Sequence, residues 1–239
     1  MSEKVFTGQT ALVTGASRGI GAATAEALAA AGAHVILTAR DVKALEGVEQ
    51  RIFEAGGAAT LAPVDLGEPE GIARLANAIA QRWDRLDMMV LAAAVLPQLS
   101  SVPDIDQRAF GQAITTNVLA TQALIAGFDK LLRASPDGRL VGLTSGVAAS
   151  PRAYWGAYAA TKAALEVLLD CYAQETRNIS KLRVAIVNPA ATRTAMRARA
   201  YPGEDPASVK PPEAVAARLV ALLGEPFPSG HRETVNQPG

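Results

Sequence analysis

Residues 11–21 read Ala-Leu-Val-Thr-Gly-Ala-Ser-Arg-Gly-Ile-Gly, an apolar run followed by a glycine-rich turn. The run has the length and composition of a buried strand, and an alanine-rich helix is predicted from Ile20 to Ala31. Glycines between a strand and a helix permit a tight turn, and the helix N-terminus offers unpaired N–H groups to an anion. This order therefore predicts a dinucleotide site, with a simple glycine-rich turn as the alternative.

Further apolar runs alternate with helical patterns along the rest of the chain. The runs predict strands at Val35–Ala39, Leu61–Val64, Met88–Ala92, Leu140–Thr144 and Val184–Val187. The stretches between and after them predict helices at Val42–Ala55, Glu70–Trp83, Asp106–Leu132, Ala153–Asn178 and Pro212–Leu223. Continuous apolar strands joined by long crossovers form a parallel sheet that is buried on both faces.

The fold class follows from this alternation. We expect residues 1–239 to form one α/β domain, a Rossmann fold whose doubly wound parallel sheet has about seven strands flanked by helices. The stretch 195–212 contains a proline-rich segment and precedes the last predicted helix, so it is interpreted as a substrate lid loop rather than a linker.

The bulk composition is that of an ordinary globular protein. Of 239 residues, 49% are hydrophobic and 19% are charged, and 23 Lys and Arg balance 23 Asp and Glu. Nucleic-acid and membrane-surface partners normally select a basic excess, so neither is expected. No stretch has the apolar length of a signal peptide or a membrane span, which favours the cytoplasm.

Cysteine and histidine are too few for a metal site. Cys171 is the single cysteine, and the apolar helical pattern around it predicts that it is buried. His34 and His231 lack neighbours at ligand spacing, so no metal site and no histidine-based triad are expected.

The residues after the second predicted strand bear on the choice of nicotinamide cofactor. NAD sites commonly place an acid there for the ribose 2′-OH, whereas NADP sites supply arginine for the 2′-phosphate. Here Ala39 takes the acid's place, Arg40 follows it, and Arg18 lies in the glycine turn. Two guanidinium groups favour NADP(H), while the adjacent Asp41 leaves NAD(H) open. Asp65 is placed either to cap a helix or to contact the adenine edge.

Ser145, Tyr158 and Lys162 are the candidate chemical residues. Ser145 follows the strand that ends at Thr144, and residues just past the C-terminal ends of parallel strands face the ligand crevice. Tyr158 and Lys162 lie four residues apart on one helix, roughly 6 Å along its axis. A nearby ammonium lowers the pKa of a tyrosine from its ordinary value near ~10, so proton exchange becomes feasible. Such a spacing also occurs by chance on many helices.

Taken together, these residues resemble the short-chain dehydrogenase/reductase family. The marks of the resemblance are the turn Thr14–Gly21, Asn117, Ser145, Tyr158 and Lys162, in the family's order and spacing. The resemblance implies that Tyr158 is the general acid and base and that Lys162 lowers its pKa and binds the nicotinamide ribose. It further implies that Ser145 holds the substrate carbonyl and that Asn117 holds a water linking Lys162 to solvent.

The cofactor contacts come from the motifs and from this resemblance. The segment 188–194 matches the stretch that faces the nicotinamide carboxamide in the family, although Ala190 replaces the usual glycine. The complete set of expected cofactor contacts is Gly15, Ser17, Arg18, Gly19, Ile20, Gly21, Arg40, Asp65, Leu66, Ala93, Tyr158, Lys162, Pro189, Thr192 and Thr194.

The fourth strand departs more sharply from the family. Its usual Asn-Asn-Ala-Gly signature is Leu91-Ala92-Ala93-Ala94 here. In the family the asparagine at the position of Ala92 braces the central sheet, so its loss predicts weaker support unless repacking replaces it. Backbone contacts from this segment to the cofactor ribose are still compatible with alanine.

The lid and the long helices suggest relatives and an assembly. Residues 195–202 are similar to an uncharacterised bacterial subgroup often described as oxoacyl-carrier reductases, which names no substrate. Arg197 and Arg199 are either ligands of an acidic substrate tail or solvated lid residues. Helices 106–132 and 153–178 pair across a two-fold axis in family members, so a homodimer or homotetramer is expected by likeness. An apolar pocket lining is predicted from Leu96, Tyr154, Trp155 and Met196.

Three functions are compatible with these features. The leading prediction is an NADP-dependent oxidoreductase that transfers a hydride between NADP(H) and a small carbonyl or alcohol substrate. The altered fourth-strand signature leaves open a non-catalytic NADP(H)-binding sensor or scaffold protein. A sugar-nucleotide epimerase or dehydratase shares the tyrosine and lysine, but it needs a C-terminal substrate region and only a short tail follows Leu223.

Overall fold

The computed structural model describes residues 4–236 and contains one seven-stranded sheet. Its order is β3-β2-β1-β4-β5-β6-β7, and all neighbouring strands are parallel. The strands are β1 Thr10–Thr14, β2 His34–Thr38, β3 Ala58–Leu61, β4 Met88–Leu91, β5 Arg139–Leu143, β6 Arg183–Asn188 and β7 His231–Thr234. The predicted doubly wound parallel sheet is confirmed.

Helices cover both faces of this sheet. Within the described residues they are α1 Gly19–Ala30, α2 Val42–Glu54, α3 Pro69–Ala80, α4 Gln107–Ile114, α5 Ala120–Ala134, α6 Gly146–Ala149, α7 Gly156–Thr176, α8 Ala195–Ala200 and α9 Pro212–Gly224. Helices α1, α2 and α9 share one hydrophobic core, and α3, α5 and α7 share another. Side chains alternate along each strand between these cores, as Leu12 and Val13 do in β1.

The third strand lies three residues before its predicted position. It spans Ala58–Leu61 rather than Leu61–Val64. The chain continues beside β2 through backbone hydrogen bonds from Ala62 and Val64, but Pro63 between them has no N–H and the regular ladder ends. The small, partly exposed residues of this edge strand gave no apolar signal.

The other differences lie at element ends. The predicted helix 106–132 consists of α4, a π-helical turn at Thr115–Leu119, and α5. Helix α7 begins at Gly156 rather than Ala153, because Tyr154 has a φ of 71°, which no helical residue adopts. The predicted lid loop contains the short helix α8 and a 3-10 turn at Pro206–Ser208.

Cys171 lies on the exposed side of α7, so its predicted burial is wrong. The buried face of this helix passes through Leu169, Tyr172 and Thr176. Cys171 falls between these positions and points away from them, since successive helical residues are rotated by about 100°. None of the helices in the described part of the chain is long and apolar enough to span a bilayer.

Candidate active site

The glycine turn after β1 adopts a backbone that glycine alone accommodates easily. Gly15 and Gly19 have φ values of 66° and 57°, in the left-handed region. A Cβ on Gly21 would lie 2.2 Å from the Gly15 carbonyl oxygen, and one on Gly15 would lie 2.9 Å from Ala93 Cα. A Cβ on Gly19 would meet Thr194 at 3.5 Å, which places that residue across from the turn.

The N-terminus of α1 is open toward this turn. Arg18 is the N-cap residue, is exposed, and no side chain caps the helix. The first intrahelical acceptor is the Arg18 carbonyl, bonded by Ala22 N–H at 3.3 Å. The N–H groups of Gly19, Ile20 and Gly21 therefore have no partner within the helix. This terminus and its dipole fit a pyrophosphate.

Arg40 and Asp65 lie side by side past the ends of β2 and β3. Arg40 Nη1 is 3.9 Å from Asp65 Oδ2, and both side chains are largely exposed. Asp65 Oδ1 also accepts the Gly67 N–H at 2.8 Å. Because the N-cap of α3 is Glu68, Asp65 closes the preceding turn and does not cap the helix. The capping alternative for Asp65 is therefore wrong.

The structure also gives a role to Asp41, the acid that left NAD(H) open. Its carboxylate accepts the Ala44 N–H at 3.0 Å and caps α2. Ala39, where an NAD site commonly has its acid, is half-buried and packs against the core under α1 and α2. The Arg40 side chain is 68% exposed and directly follows this strand end and Ala39, which suits a 2′-phosphate.

The altered end of β4 is braced by a threonine of β1. Thr14 Oγ1 accepts the N–H groups of Ala92 and Ala93 at 3.0 and 3.1 Å. Ala92 packs against the hydrophobic core under α1, and Ala93 packs against the core on the other face. Repacking and the Thr14 hydroxyl therefore support the position where the family has asparagine.

Asn117 lies fully buried in the π-helical turn and joins three elements. Its Oδ1 accepts the Val95 N–H at 2.8 Å, and its Nδ2 donates to the Val95 carbonyl at 2.9 Å and to Thr161 Oγ1 at 3.0 Å. Both amide protons are used, so any water implied by the family likeness has only oxygen atoms of Asn117 to bind. Single π-helical turns occur often at functional sites.

Tyr158 is buried under the lid. Only 7% of the residue is exposed, and its hydroxyl donates to Met196 Sδ of α8 at 3.9 Å. The Trp155 ring lies edge-on, with centroids 6.0 Å apart. Burial raises the pKa of Tyr158 to about 12. The expected lowering of this pKa is therefore wrong here, because removal of the phenolate from water dominates.

Lys162 is buried next to Tyr158, and its ammonium group is held by the sheet. Nζ donates to the Leu143 carbonyl at 2.9 Å and lies 5.8 Å from the centre of the Tyr158 ring. Burial lowers the pKa of Lys162 to about 8, and the Glu166 carboxylate partly opposes that shift. The strand carbonyl thus orients Lys162 below the tyrosine ring.

Ser145 is partly buried and directly follows the end of β5. It precedes α6 with an extended backbone, and its hydroxyl does not cap that helix. Leu143, which binds Lys162, lies only two residues earlier. The C-terminal end of β5 therefore carries both Ser145 and the carbonyl that binds Lys162.

The segment 188–194 is held in a strained shape. Ala190 has a φ of 52°, where the family's glycine would be free of strain. Thr192 Oγ1 donates to the Pro189 carbonyl at 3.0 Å, and Lys210 Nζ donates to the Ala191 carbonyl at 3.0 Å. The buried Lys210 was not predicted, since no sequence pattern connects it with this segment. Thr194 Oγ1 accepts the Arg197 N–H at 3.1 Å and caps α8.

A cavity with mixed apolar and polar lining adjoins Leu96, which packs against Tyr158. This cavity of about 480 Å³ is lined by Leu96, Pro97, Gln98, Leu99, Arg199 and Ala200. Leu96 also packs with Val147 and Tyr158 in a buried cluster that Trp155 and Met196 cover. Tyr154, which the sequence predicts to line the pocket, is 64% exposed and is not among the residues that line this cavity.

Both lid arginines are engaged within the protein. Arg197 makes a bidentate ion pair with Glu204, with Nε–Oε2 and Nη2–Oε1 distances of 2.7 and 2.5 Å. Its Cζ also lies 3.8 Å from the centre of the Tyr201 ring. Arg199 Nη2 donates to the Leu96 carbonyl. Arg197 is therefore neutralised, which disfavours the hypothesis that it binds an acidic substrate tail.

The described site offers Tyr158 as a proton donor, Lys162 as a cation, and the glycine turn after β1 as a place for an anion. Among residues 4–236, no three His, Cys, Asp or Glu side chains cluster as a metal site requires. Ser145 follows the C-terminal end of β5, and α7 brings Lys162 to the Leu143 carbonyl at that same end, where ligands bind in open α/β sheets.

Comparison with known proteins agrees with this arrangement. A family model described as short chain dehydrogenase matches residues 9–205. The Escherichia coli K12 protein named Uncharacterized oxidoreductase YciK is 36% identical over 217 residues, which cover 90% of this chain and 85% of that protein.

Two crystal structures are similar throughout. A short chain dehydrogenase from Shigella flexneri 2a, complexed with NADP, has a TM-score of 0.94 at 34% identity and covers 98% of this chain and 99% of its own. One from Escherichia coli CFT073, complexed with NADPH, has a TM-score of 0.94 at 34% identity, with 99% and 100% covered. The chain is an oxidoreductase and belongs to the short chain dehydrogenase family.

Proposed function

We propose that this protein reduces a carbonyl compound with NADPH and that Tyr158 supplies the proton. The observation that carries the proposal is the buried Tyr158–Lys162 pair, with Nζ 5.8 Å from the ring centre. A buried tyrosine hydroxyl beneath a lid, next to a buried ammonium, is an arrangement suited to proton transfer away from bulk water. Family membership and the NADP-bound relatives support the same reading.

Ser145, Tyr158 and Lys162 have separate roles in the proposed reduction. NADPH supplies the hydride that reduces the carbonyl carbon. Ser145 donates a hydrogen bond to the carbonyl oxygen, and Tyr158 transfers its hydroxyl proton to that oxygen, which yields an alcohol and a phenolate. The Lys162 ammonium stabilises the phenolate until a proton returns to it.

The raised pKa of Tyr158 defines its resting protonation state. With a pKa of about 12, the tyrosine is protonated at neutral pH and can donate its proton in carbonyl reduction. The reverse reaction, oxidation of an alcohol, uses the same residue as a phenolate, which Lys162 stabilises.

The cofactor choice rests on the second strand and the glycine turn. Exposed Arg40 and Arg18 bind the 2′-phosphate of NADP(H), while Asp41 caps α2 instead of binding a ribose. Two solved relatives hold NADP and NADPH. NADPH should thus be used in preference to NADH.

The pocket indicates an apolar substrate. Leu96, Leu99 and the cover of Trp155 and Met196 provide hydrophobic walls, and Arg199, the charged residue of the cavity lining, donates to the Leu96 carbonyl. The enzyme is proposed to act on carbonyl and CH–OH groups of hydrophobic molecules. We further propose one catalytic domain with a lid at 195–212, acting as a cytoplasmic homodimer or homotetramer.

A substrate screen tests this proposal. NADPH oxidation is followed at 340 nm over ketones, aldehydes, quinones and β-keto thioesters, with NADH in parallel. We expect turnover of hydrophobic carbonyls with NADPH and a clear preference over NADH. Tight NADPH binding without turnover of any carbonyl would overturn the proposal in favour of a sensor or scaffold, and equal use of NADH would overturn the roles of Arg18 and Arg40.

A further inference from the structure

A carboxylate lies one helical turn beyond Lys162 on α7. Tyr158, Lys162, Glu166 and Asp170 follow one another at intervals of four residues, which places them in a line along the helix. Only 14% of the Glu166 side chain is exposed. A carboxylate removed from water to this extent is expected to have fixed partners.

Both oxygens of Glu166 bind groups contributed by the sheet. Thr144 Oγ1 donates to Oε1 at 2.5 Å, and Arg232 Nη1 of β7 donates to Oε2 at 2.6 Å. Thr144 is the residue after Leu143, whose carbonyl holds Lys162 Nζ at 2.9 Å. Lys162 and Glu166 therefore bind two consecutive residues at the end of β5, Leu143 and Thr144.

We propose that Glu166 is a positioning residue of the active site: it fixes the end of β5 next to Ser145 and supplies the counter-charge for Lys162. The proposal rests on the proposed function, since Lys162 matters to catalysis only if Tyr158 transfers a proton.

Glu166 is ion-paired with Arg232 at 2.6 Å, and it also lies one helical turn from Lys162 on the same face of α7. Burial lowers the pKa of Lys162 to about 8, and the Glu166 carboxylate raises it. Without that carboxylate a larger share of Lys162 would be neutral at physiological pH. A neutral amine cannot stabilise the Tyr158 phenolate, so the counter-charge bears directly on the proton transfer.

Other charged groups on the neighbouring elements are remote or already paired. Arg232 bridges Glu166 and Asp170, and Arg108 is exposed in the first turn of α4. Arg139 and Arg183 occupy the first residues of β5 and β6, at the opposite end of the sheet from Leu143, and both bind Asp137.

Two matched variants separate the charge of Glu166 from its structural contacts. Glu166→Gln keeps the side-chain length and an oxygen for Thr144, but it removes the negative charge. Asp170→Asn is the control, because Asp170 lies on the same face of α7 and also binds Arg232, yet lies two turns from Lys162.

The direct measurement is the titration of Lys162 itself. Protein labelled with ¹³C at lysine Cε is titrated by NMR, and the Lys162 signal is assigned by its loss in Lys162→Arg. We expect Glu166→Gln to lower the titration midpoint by about half a pH unit, since it removes a negative charge one helical turn from Lys162. Asp170→Asn should leave it unchanged. A wild-type midpoint in Glu166→Gln, or an equal shift in both variants, would overturn the proposal.

The pH profile of kcat shows whether the effect reaches the reaction. In Glu166→Gln the fall in kcat at alkaline pH should begin about half a pH unit lower than in the wild type, while Asp170→Asn follows the wild type. An unshifted Glu166→Gln profile would contradict the role in catalysis. If the wild-type protein reduced no carbonyl, the proposed function would fail, but the lysine titration would still decide the role of Glu166.

Discussion

Replacing Asn117 with alanine tests whether its amide holds the loop after β4 to the π-helical turn. The substitution removes three hydrogen bonds, a buried one to Thr161 and two partly buried ones to the backbone of Val95. Thr161 keeps its bond to the Tyr158 carbonyl at 2.8 Å, so the uncompensated groups are the N–H and carbonyl of Val95. Each such group destabilises by about 1–3 kcal/mol when it has no partner.

We therefore expect Asn117→Ala to lower the free energy of unfolding by about 3 kcal/mol, a large part of the ~5–15 kcal/mol typical of a folded domain. Urea unfolding followed by tryptophan fluorescence measures this as a lower midpoint with an unchanged slope. The control is Gln122→Ala, an exposed position on α5, which should change stability by less than ~0.5 kcal/mol. A loss in Asn117→Ala no larger than in the control would refute the bracing role.

Four further predictions follow from individual residues. Ala190→Gly should raise the free energy of unfolding by about 0.5–1 kcal/mol in the same urea assay, because glycine relieves the left-handed strain. Gly21→Ala should weaken NADPH binding more than ~10-fold by fluorescence titration, since its Cβ would lie 2.2 Å from the Gly15 carbonyl oxygen. Arg40→Asp should reverse the cofactor preference, measured as the kcat/KM ratio of NADPH to NADH. Burial lowers the pKa of Lys162 to about 8 from its ordinary value of 10.5. Between these two pH values the unfolded chain holds more protons than the folded protein, so the free energy of unfolding should rise with pH across this window, and the rise should vanish in Lys162→Met.

The parallel sheet could be predicted because its central strands are continuously apolar. Strands such as β1 and β6 are buried on both faces and bounded by clear helical patterns. The edge strands gave weaker signals, since β3 is built from small residues and β7 reads His-Arg-Glu-Thr. The π-helical turn at Thr115–Leu119 could not be predicted either, because its residues are of the types found in any α-helix.

The chemical residues were predictable by type and order, but their partners were not. Tyr158 and Lys162 could be chosen from spacing, whereas the bond from Lys162 to Leu143 depends on how α7 crosses β5. The upward shift in the pKa of Tyr158 depends on the lid above it, which brings Met196 to its hydroxyl. The spacing along α7 shows that Lys162 is close to Tyr158, but it does not show how deeply Tyr158 is buried.

The central claim is that Tyr158 gives its proton to the substrate oxygen, and Tyr158→Phe tests it most directly. The variant is saturated with NADPH and a hydrophobic ketone identified in the screen, and the decay of NADPH absorbance is followed in a single turnover beside NADPH affinity. We expect a loss of at least ~100-fold in the rate with nearly unchanged NADPH binding and an unchanged unfolding midpoint. A Tyr158→Phe variant that reduces the ketone at the wild-type rate would contradict it.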